Sequence, residues 1–494
     1  MSSETVYVPL NVLDHLHRPN YVKLCYYFSL QPGTTPLDVF EDLGKGLHQT
    51  FVQVPWLGGK VFRQSPDTPG YRPGQRELRY NPATAAPVDG PLPHQLRFNE
   101  LESDYTFAEL REEGFPSDAY DDQELLNVPI EGNLDTGCDV FVAQANFIPD
   151  GCVLCMSTCH AAIDGTAMVT VMKLWADNCR SVFDPSEIVE PFPAESSDRT
   201  LLDKLWVPPK SGPIALQDAD AWTRGLVGLR PSEGSTTPID FQNWFGNEHP
   251  KPPRQMKNRT FYMSAANMTA LQKECEASTA DDSSSSTTAG PLSGNDVVTA
   301  LMWRSLVRAR AAAADETLDE ESVLESAIDG RMEFSQAVPP SYLGNITFYN
   351  QSAIPVAELL DPAVPLGRVA RAIRTGAGRV NSASLHEAYA LIKGVADFAQ
   401  LKPRFRRTAG ADMLISNLLL FPVDSIQFGT RRFANEGKPE AVRCFNGPLN
   451  DVARISFILP RRSKGGIELA MNLFEEEMDC LLEDEEFNRF CLEL

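Results

Sequence analysis

The sequence predicts an α/β protein of two domains that are joined by a long connecting segment. Residues 153–158 form a short apolar run after the turn pair Asp150-Gly151, which is typical of a buried strand. The apolar residues that follow recur at helical spacing: Met168, Val171, Met172 and Trp175. A chain of 494 residues can form two large domains, and residues 181–259 are rich in proline and polar residues, as expected of a connection between domains.

The elements on either side of this connection follow from periodicity and from turn residues. Before it, strands are predicted around Val6 and Val8 and over 21–28, 60–63, 139–145 and 152–158, and helices over 36–53 and 166–179. After it, strands are predicted over 260–264, up to Asp329, and over 414–422, 452–459 and 466–473. Helices are predicted over 266–275, 297–310, 366–393 (in one or two pieces) and 475–490, where the acidic face is expected to be solvated.

Two features of the connecting region allow more than one interpretation. The low-complexity residues 278–290 predict a mobile loop. The aromatic residues Trp206, Trp222, Trp244 and Phe245 could line a pocket between the domains, although ordinary packing under a long loop is the favoured interpretation.

His160 lies just after the apolar run, in a tight turn, with Asp164 four residues on and Gly165 next, which is expected to relax the backbone. Histidine can take and return a proton near neutral pH, and a rigid strand end would fix the direction of its ring. A single histidine near a core strand is more often structural, and Asp164 could simply offset the helix dipole. The motif therefore needs support from other segments.

Composition limits the possible partners and the compartment. Lys and Arg number 44 against 67 Asp and Glu, a net charge of -23, which argues against nucleic acid or an anionic membrane as a partner. The chain begins without a basic segment followed by an apolar one, so we expect no signal peptide, and no apolar run approaches membrane-spanning length. We expect a soluble, cytoplasmic protein.

The ten cysteines are scattered along the chain. Cys152, Cys155 and Cys159 have a spacing that resembles part of a zinc site, but no second paired cluster accompanies them. On an apolar strand they are better interpreted as small core residues in a reducing compartment. We expect no bound metal.

Further motifs support the histidine turn when they are taken in order. They are His160-Ala-Ala-Ile-Asp164-Gly165, Trp303-Arg304-Ser305 with Ala309-Arg310, Asp329-Gly330-Arg331, Tyr342-Leu-Gly344-Asn345, and Gly465-Gly466-Ile467-Glu468 followed by Met478. Over nearly its full length the chain thereby resembles the BAHD superfamily of plant and fungal acyl-CoA-dependent acyltransferases, with Leu13-Asp14 and Asn20-Tyr21-Val22 resembling the opening segment of that family.

One family signature is altered. The D-F-G-W-G segment, preceded in the family by a serine-tryptophan pair, corresponds here to residues 416–429. Gln427 replaces the aspartate, Asn417 replaces the tryptophan, and no W-G follows Phe428-Gly429. The family uses this signature structurally, so the change bears on local packing and on the CoA loop. It points to the fungal natural-product branch, which is similar to trichothecene and ergot-alkaloid O-acetyltransferases.

The resemblance implies a fold and a domain division. The fold would be α/β, with two chloramphenicol-acetyltransferase-like domains, each a mixed sheet with helices, and a solvent channel between them. Residues 1–180 would form the N-terminal domain with the H-x-x-x-D-G motif, residues 181–259 the crossover, and residues 260–494 the C-terminal domain with the CoA-binding surface.

The resemblance also implies a reaction. His160 would act as general base in a ternary complex and take a proton from an acceptor hydroxyl as that group attacks the thioester of acetyl-CoA or another acyl-CoA. Asp164, the second predicted catalytic residue, would hold the turn in shape by pairing with an arginine, for which Arg331 is the candidate. A small-molecule alcohol of alkaloid or terpenoid type would be the acceptor, the protein would be a monomer, and no cofactor would be bound permanently.

Several residues are candidates for binding CoA. Arg404, Arg406 and Arg407 belong to a run of cations in an acidic chain, and arginine suits phosphate recognition, although a solvated loop is the slightly favoured interpretation of the run. Ser293 begins a helix, which favours anions, and Arg331, Ser416 and Asn417 complete the predicted set. Asn417 or backbone N–H groups could stabilise the oxyanion.

Three other functions remain open. The acceptor could be an amine, which only a panel of acceptors can decide. The chain could be a condensation-type domain that uses carrier-bound substrates, although such domains usually show two adjacent histidines where this chain has Cys159-His160. It could also be a binding protein that has lost catalysis, which the intact His160, Asp164 and Gly165 argue against.

Overall fold

The structure is a computed structural model that describes most of the chain. It describes residues 4–82, 91–184, 186–187, 189–210, 212, 214–229, 255–279, 290–313, 318–401, 410–445, 455–461 and 465–494. Most of the low-complexity segment, Trp244 and Phe245 lie outside the described residues.

The described strands fall into three sheets. They are β1 Val6–Pro9, β2 Tyr21–Ser29, β3 Lys60–Arg63, β4 Arg76–Tyr80, β5 Leu96–Glu100, β6 Cys138–Asp139, β7 Phe141–Ile148, β8 Gly151–Cys159, β9 Met256–Met263, β10 Glu321–Asp329, β11 Thr347–Pro355, β12 Met413–Asn417, β13 Ala441–Phe445, β14 Ser456–Ile458, β15 Ile467–Phe474 and β16 Leu492–Glu493. Among the described residues their order is β1-β4-β3-β6 in a small sheet, β13-β2-β8-β7-β5 in the N-terminal sheet and β11-β10-β12-β14-β15-β9-β16 in the C-terminal sheet.

The described α-helices cover these sheets and the region between them. They are α1 Pro36–Gln53, α2 Phe107–Glu112, α3 Asp122–Leu125, α4 Gly165–Phe183, α5 Ala194–Ser197, α6 Leu201–Leu205, α7 Ala221–Leu226, α8 Ala265–Thr279, α9 Gly294–Ala313, α10 Arg331–Phe334, α11 Val356–Leu360, α12 Leu366–Gly378, α13 Ser382–Lys393, α14 Glu475–Leu482 and α15 Glu485–Asn488. The region predicted as helical over 366–393 is therefore two helices, and the C-terminal acidic helix is interrupted after Leu482.

The N-terminal sheet places the histidine motif. β8 lies between β2 and β7 and pairs antiparallel with both. Every residue of β7 and β8 is buried, which explains why both strands consist largely of apolar residues. Because β5 pairs parallel with β7, this sheet is mixed. Helix α4 packs against α1, where Trp175 Nε1 donates a hydrogen bond of 2.8 Å to the Leu43 carbonyl.

The C-terminal sheet is also mixed. β12 pairs parallel with both β10 and β14, and the other pairs in this sheet are antiparallel. Helix α9 is buried over most of its length, and Trp303 Nε1 donates to Ser322 Oγ at 2.8 Å. Both large sheets carry helices, so the predicted α/β class with mixed sheets is confirmed.

One strand crosses the predicted domain division. β13 pairs antiparallel with β2 and so completes the N-terminal sheet, although its residues fall within the predicted C-terminal domain, 260–494. Phe428 and Phe433 likewise pack in the N-terminal core. A strand that joins a distant sheet edge carries no local sequence signal of its partner, and the division at residue 260 remains a prediction.

Two groups of residues in this fold bear on earlier interpretations. Cys155 is not a free core residue: it faces Cys25 across β2 and β8 and forms a disulfide with it, whereas Cys152 and Cys159 are free and buried. Trp206 and Trp222 pack against an apolar cluster that includes Tyr389, in agreement with the favoured interpretation of ordinary packing.

Candidate active site

His160 lies where β8 ends and the chain turns towards α4. Its backbone N–H donates to the Asn20 carbonyl at 2.9 Å, and Asn345 Nδ2 donates to its carbonyl at 2.9 Å. Arg199 Nη1 donates to the Ala162 carbonyl at 2.7 Å, within the same turn. Three segments that are distant in sequence therefore fix the backbone of this turn, and with it the starting direction of the imidazole.

Asp164 joins the histidine turn to the other half of the protein through a buried ion pair. It is the N-cap of α4, and its Oδ1 accepts from the Ala167 N–H at 2.9 Å. Arg331 Nη2 donates to the same oxygen at 2.9 Å, and both side chains are 3% exposed. Oδ2 accepts from the Ile346 N–H at 3.1 Å. Both carboxylate oxygens of Asp164 are thus engaged by groups of the protein itself.

The guanidinium of Arg331 is held by two carboxylates. It also bonds Asp329 Oδ1 at 2.8 Å and the Tyr342 carbonyl at 2.7 Å. Burial opposes its charge, but the carboxylates of Asp164 and Asp329 outweigh burial and raise the pKa of Arg331. Arg331 therefore has the contacts proposed for it as the partner of Asp164.

Gly165 serves a different purpose from the one its position suggested. It is the first residue of α4, and its φ angle is not positive, so the backbone does not need the freedom of glycine. A Cβ atom at this position would lie 2.9 Å from Cζ of Phe421. An aromatic ring from the C-terminal half packs directly against the turn, so a side chain at this position would require that ring to move.

Asp14 and Asn345 support the turn from behind, and neither was predicted as a site residue. Asn345 Nδ2 donates to Asp14 Oδ1 at 2.8 Å as well as to the His160 carbonyl. Burial raises the pKa of Asp14, against the opposing effect of Arg199, 3.5 Å away. Both residues belong to motifs noted in the sequence, the opening Leu13-Asp14 and the turn ending at Asn345. The motifs therefore indicated which segments contact the histidine turn, but not which residues make the contacts.

A cavity lies between the N-terminal and C-terminal sheets, with His160 on its wall. The empty space in and above it, which includes space open to solvent, is about 1110 Å³. Thr166 and Ser416 also line it. Most of its other lining is apolar and comes from both sheets and from α4, and includes Val22, Leu24, Met168, Tyr349, Leu414, Phe421 and Phe457. Such a mainly apolar cleft with a few polar groups is typical of a small-molecule site.

The surroundings of His160 favour its neutral form. Burial of the ring lowers its pKa, and this effect is only partly offset by the residue's own carbonyl, by Asp164 and by the amide of Asn345. An imidazole that is neutral at physiological pH can accept a proton, which is the state a general base requires.

Comparison with known proteins identifies the family of the chain. The profile of the Transferase family matches residues 96–488, most of the chain. The chain belongs to the Transferase family. This is the BAHD family that the motifs of the sequence resemble.

Individual relatives agree with this assignment. This transferase is 28% identical, over 97% of its length, to the isocyanide synthase-NRPS hybrid crmA of Aspergillus fumigatus. The matched region is only 31% of the length of crmA. The acyltransferase BOA11 of Botryotinia fuckeliana is 25% identical over 99% of this chain and 98% of its own. The crystal structure of F. graminearum TRI101 complexed with coenzyme A and deoxynivalenol superposes with a TM-score of 0.75 at 17% identity, over 99% of both chains. The transferase therefore has the two-domain chloramphenicol-acetyltransferase-like fold.

Of the described residues predicted to bind CoA, some line the cavity and others do not. Ser416 and Asn417 line the cavity, and Asn417 bonds Asn295 at the start of α9. Ser293 caps α9, and its hydroxyl donates to Asp296 at 2.7 Å. Arg331 lies at the cavity but is engaged by Asp164 and Asp329, so a role in binding CoA stays a prediction.

The three remaining predicted CoA residues, Arg404, Arg406 and Arg407, lie outside the described residues.

The altered signature of the transferase still makes a packed corner. Arg180 of α4 donates to the Gln427 carbonyl, a contact that does not depend on the side chain at this position. The Phe428 ring packs edge-on against Trp175 and Phe28. Gly429 has a φ of 82°, a conformation that favours glycine. Phenylalanine and glycine thus keep structural roles here, although the aspartate of the family signature is absent.

The described residues of the transferase contain neither a candidate metal site nor a candidate membrane-spanning helix. No group of three or more His, Cys, Asp or Glu side chains in this part of the chain could hold a metal ion. Within the same residues, no helix combines the length and the apolar character that crossing a membrane requires.

Proposed function

We propose that this transferase moves an acetyl or other short acyl group from acyl-CoA to a hydroxyl of a small secondary metabolite, with His160 as the general base. The position of His160 supports the proposal most strongly: the residue lies on the wall of a cavity between two sheets, in a turn held from three sides. The relatives named above add support, since BOA11 is called an acyltransferase and TRI101 was crystallised with coenzyme A and deoxynivalenol.

The reaction follows from the chemistry of a neutral imidazole. Nδ1 of His160 is buried, which leaves Nε2 for the acceptor. As the acceptor oxygen attacks the thioester carbonyl, the imidazole takes the hydroxyl proton. The C–S bond then breaks, and the imidazolium returns the proton to the CoA sulfur. The amide of Asn417, which lines the same cavity, is the proposed donor to the oxyanion.

The cavity indicates the class of acceptor. Its walls are mainly apolar and come from both halves of the chain. An apolar, ring-containing alcohol fits such walls better than a sugar or an amino acid. A cytoplasmic monomer that binds no permanent cofactor remains the expectation for the protein as a whole.

A second candidate function has one observation in its favour. The chain is similar to part of a hybrid whose name includes an NRPS, a class of enzyme that carries its substrates as thioesters on carrier domains. The acyl donor could then be carrier-bound rather than free CoA. The chemistry at His160 would be the same, and binding of free CoA distinguishes the two donors.

The proposal is tested by release of the CoA thiol. Acetyl-CoA is incubated with the protein and a panel of apolar alcohols and matched amines, and free thiol is followed with a thiol reagent. We expect acceptor-dependent thiol release with at least one alcohol and an acetyl ester as product. Release only with amines would favour N-acylation, and release with no acceptor in the panel would count against the proposal.

The pH dependence of this assay reports on His160. Because burial lowers the pKa of the base below its ordinary value of 6.5, the neutral form persists at lower pH than for an exposed histidine. We therefore expect kcat/KM to stay level as the pH falls through 6.5 and to decrease only below it. An acid limb with an apparent pKa at or above 6.5 would contradict this environment for the base.

A further inference from the structure

A second imidazole lies against His160 inside the protein. The His17 and His160 rings are nearly parallel, with centroids 4.3 Å apart and an angle of 12° between their planes. His17 is only 7% exposed, and Arg76 Nη1 donates to its carbonyl at 2.5 Å. The proposed reaction gives His17 no role, yet its ring covers one face of the base.

The His17 ring is an uncharged surface. Burial, His160 and the guanidinium of Arg76 together hold its pKa well below the usual range. Asp14, in the preceding turn, is the nearest carboxylate in the sequence, but it is engaged by Asn345 and Arg199. At neutral pH the His17 ring is therefore uncharged.

A neighbouring histidine shows what a purely structural role looks like. His15 is also buried and also stacks on an aromatic ring, that of Phe398, at 4.1 Å and 19°. Both of its ring nitrogens are engaged, Nδ1 with the Asn11 carbonyl at 2.8 Å and Nε2 with the Arg76 N–H at 3.0 Å. Nε2 of His17, in contrast, is buried without a hydrogen-bond partner in the described part of the chain. Among the described residues, the His17 ring makes its stacking contact with the ring of His160.

We propose that His17 is a positioning residue for the acyl transfer, which orients His160 through the stacked ring and supports its charged form. Because the two rings are nearly parallel, the stack keeps the His160 ring from tilting away from the plane of the His17 ring. The edge of the His160 ring therefore stays directed at the cavity. When His160 takes the acceptor proton it becomes a cation, and that charge lies over the π face of a neutral ring. This inference rests on the proposed function of His160.

The experiment compares three variants in the thiol-release assay, once an acceptor has been found for the wild-type protein. His17→Ala removes the stacked ring, His17→Phe keeps an aromatic face without the nitrogens, and His15→Ala removes a matched buried ring that does not touch the base. We expect His17→Ala to lower kcat about tenfold with little change in the KM for acetyl-CoA, His17→Phe to stay within about threefold of wild type, and His15→Ala to keep kcat per folded molecule.

The outcomes separate the inference from the proposed function. Folding of each variant is checked by its thermal midpoint, and only the folded fraction is counted. If His17→Ala keeps wild-type kcat, or if His17→Phe is as impaired as His17→Ala, stacking is not what His17 contributes and the inference fails alone. If the wild-type protein releases no thiol with any acceptor, the proposed function fails instead.

Discussion

Replacing His160 with alanine is expected to lower kcat about 10³-fold, while the fold and the binding of CoA remain. General-base catalysis contributes about 10²–10⁴-fold to rates, and no other described histidine or carboxylate on the cavity wall is free to take its place. The backbone of the turn keeps its bonds to Asn20 and Asn345, since both involve only the main chain of residue 160. The loss should therefore appear in kcat rather than in stability.

A matched control makes this result specific. His94 is an exposed histidine that is not part of the cavity wall, so His94→Ala should keep wild-type kcat and the wild-type thermal midpoint. Each variant is assayed for thiol release with the same alcohol acceptor. A folded His160→Ala protein that retains more than about a tenth of wild-type kcat would show that another group takes the proton.

Replacing Asp164 with asparagine is expected to destabilise the protein as well as slow it. The substitution leaves the buried guanidinium of Arg331 with only one of its two carboxylates, Asp329, which is partly exposed. Removing one partner of a buried ion pair typically lowers the free energy of unfolding by about 3–5 kcal/mol. Because Asp329 still partly neutralises Arg331, we expect a loss near the lower end, about 3 kcal/mol. Urea unfolding measures this loss, and kcat should fall because the turn that carries His160 loosens.

The exposed pair between Arg63 and Asp135 provides the control for Asp164→Asn. Their side chains are 62% and 72% exposed, so Asp135→Asn should leave the free energy of unfolding nearly unchanged. A soluble Asp164→Asn protein with wild-type stability and only a lower rate would mean that Asp164 acts in the chemistry. That outcome would overturn its assignment as a structural residue.

The parts of the site that the sequence predicted are those that are local in the chain. The strand before His160, the turn and the helix after it follow one another directly, so periodicity and turn residues were sufficient to predict them. The helix over 36–53 was predicted with its observed bounds for the same reason. The pairing of Asp164 with Arg331 came from the family resemblance rather than from any pattern in the residues.

The parts that the sequence did not predict depend on contacts between distant segments. Asn345 meets Asp14 across 331 positions of the chain, and His17 stacks on His160, which is far from it in sequence. Nothing local marks such partners, because either residue could pack elsewhere without changing its own neighbourhood. The Cys25–Cys155 disulfide was missed because the register of β2 against β8, which places these cysteines opposite each other, is set by tertiary pairing.

Binding of free CoA tests the central claim most directly, because it requires no knowledge of the acceptor. The thermal midpoint of the full chain is measured with saturating CoA, with acetyl-CoA and with neither ligand. A ligand present at about 100 times its dissociation constant stabilises a protein by about 2.7 kcal/mol, so a clear upward shift with both ligands is expected. An unchanged midpoint with either ligand at millimolar concentration would contradict a CoA-dependent transferase and would favour a carrier-bound donor.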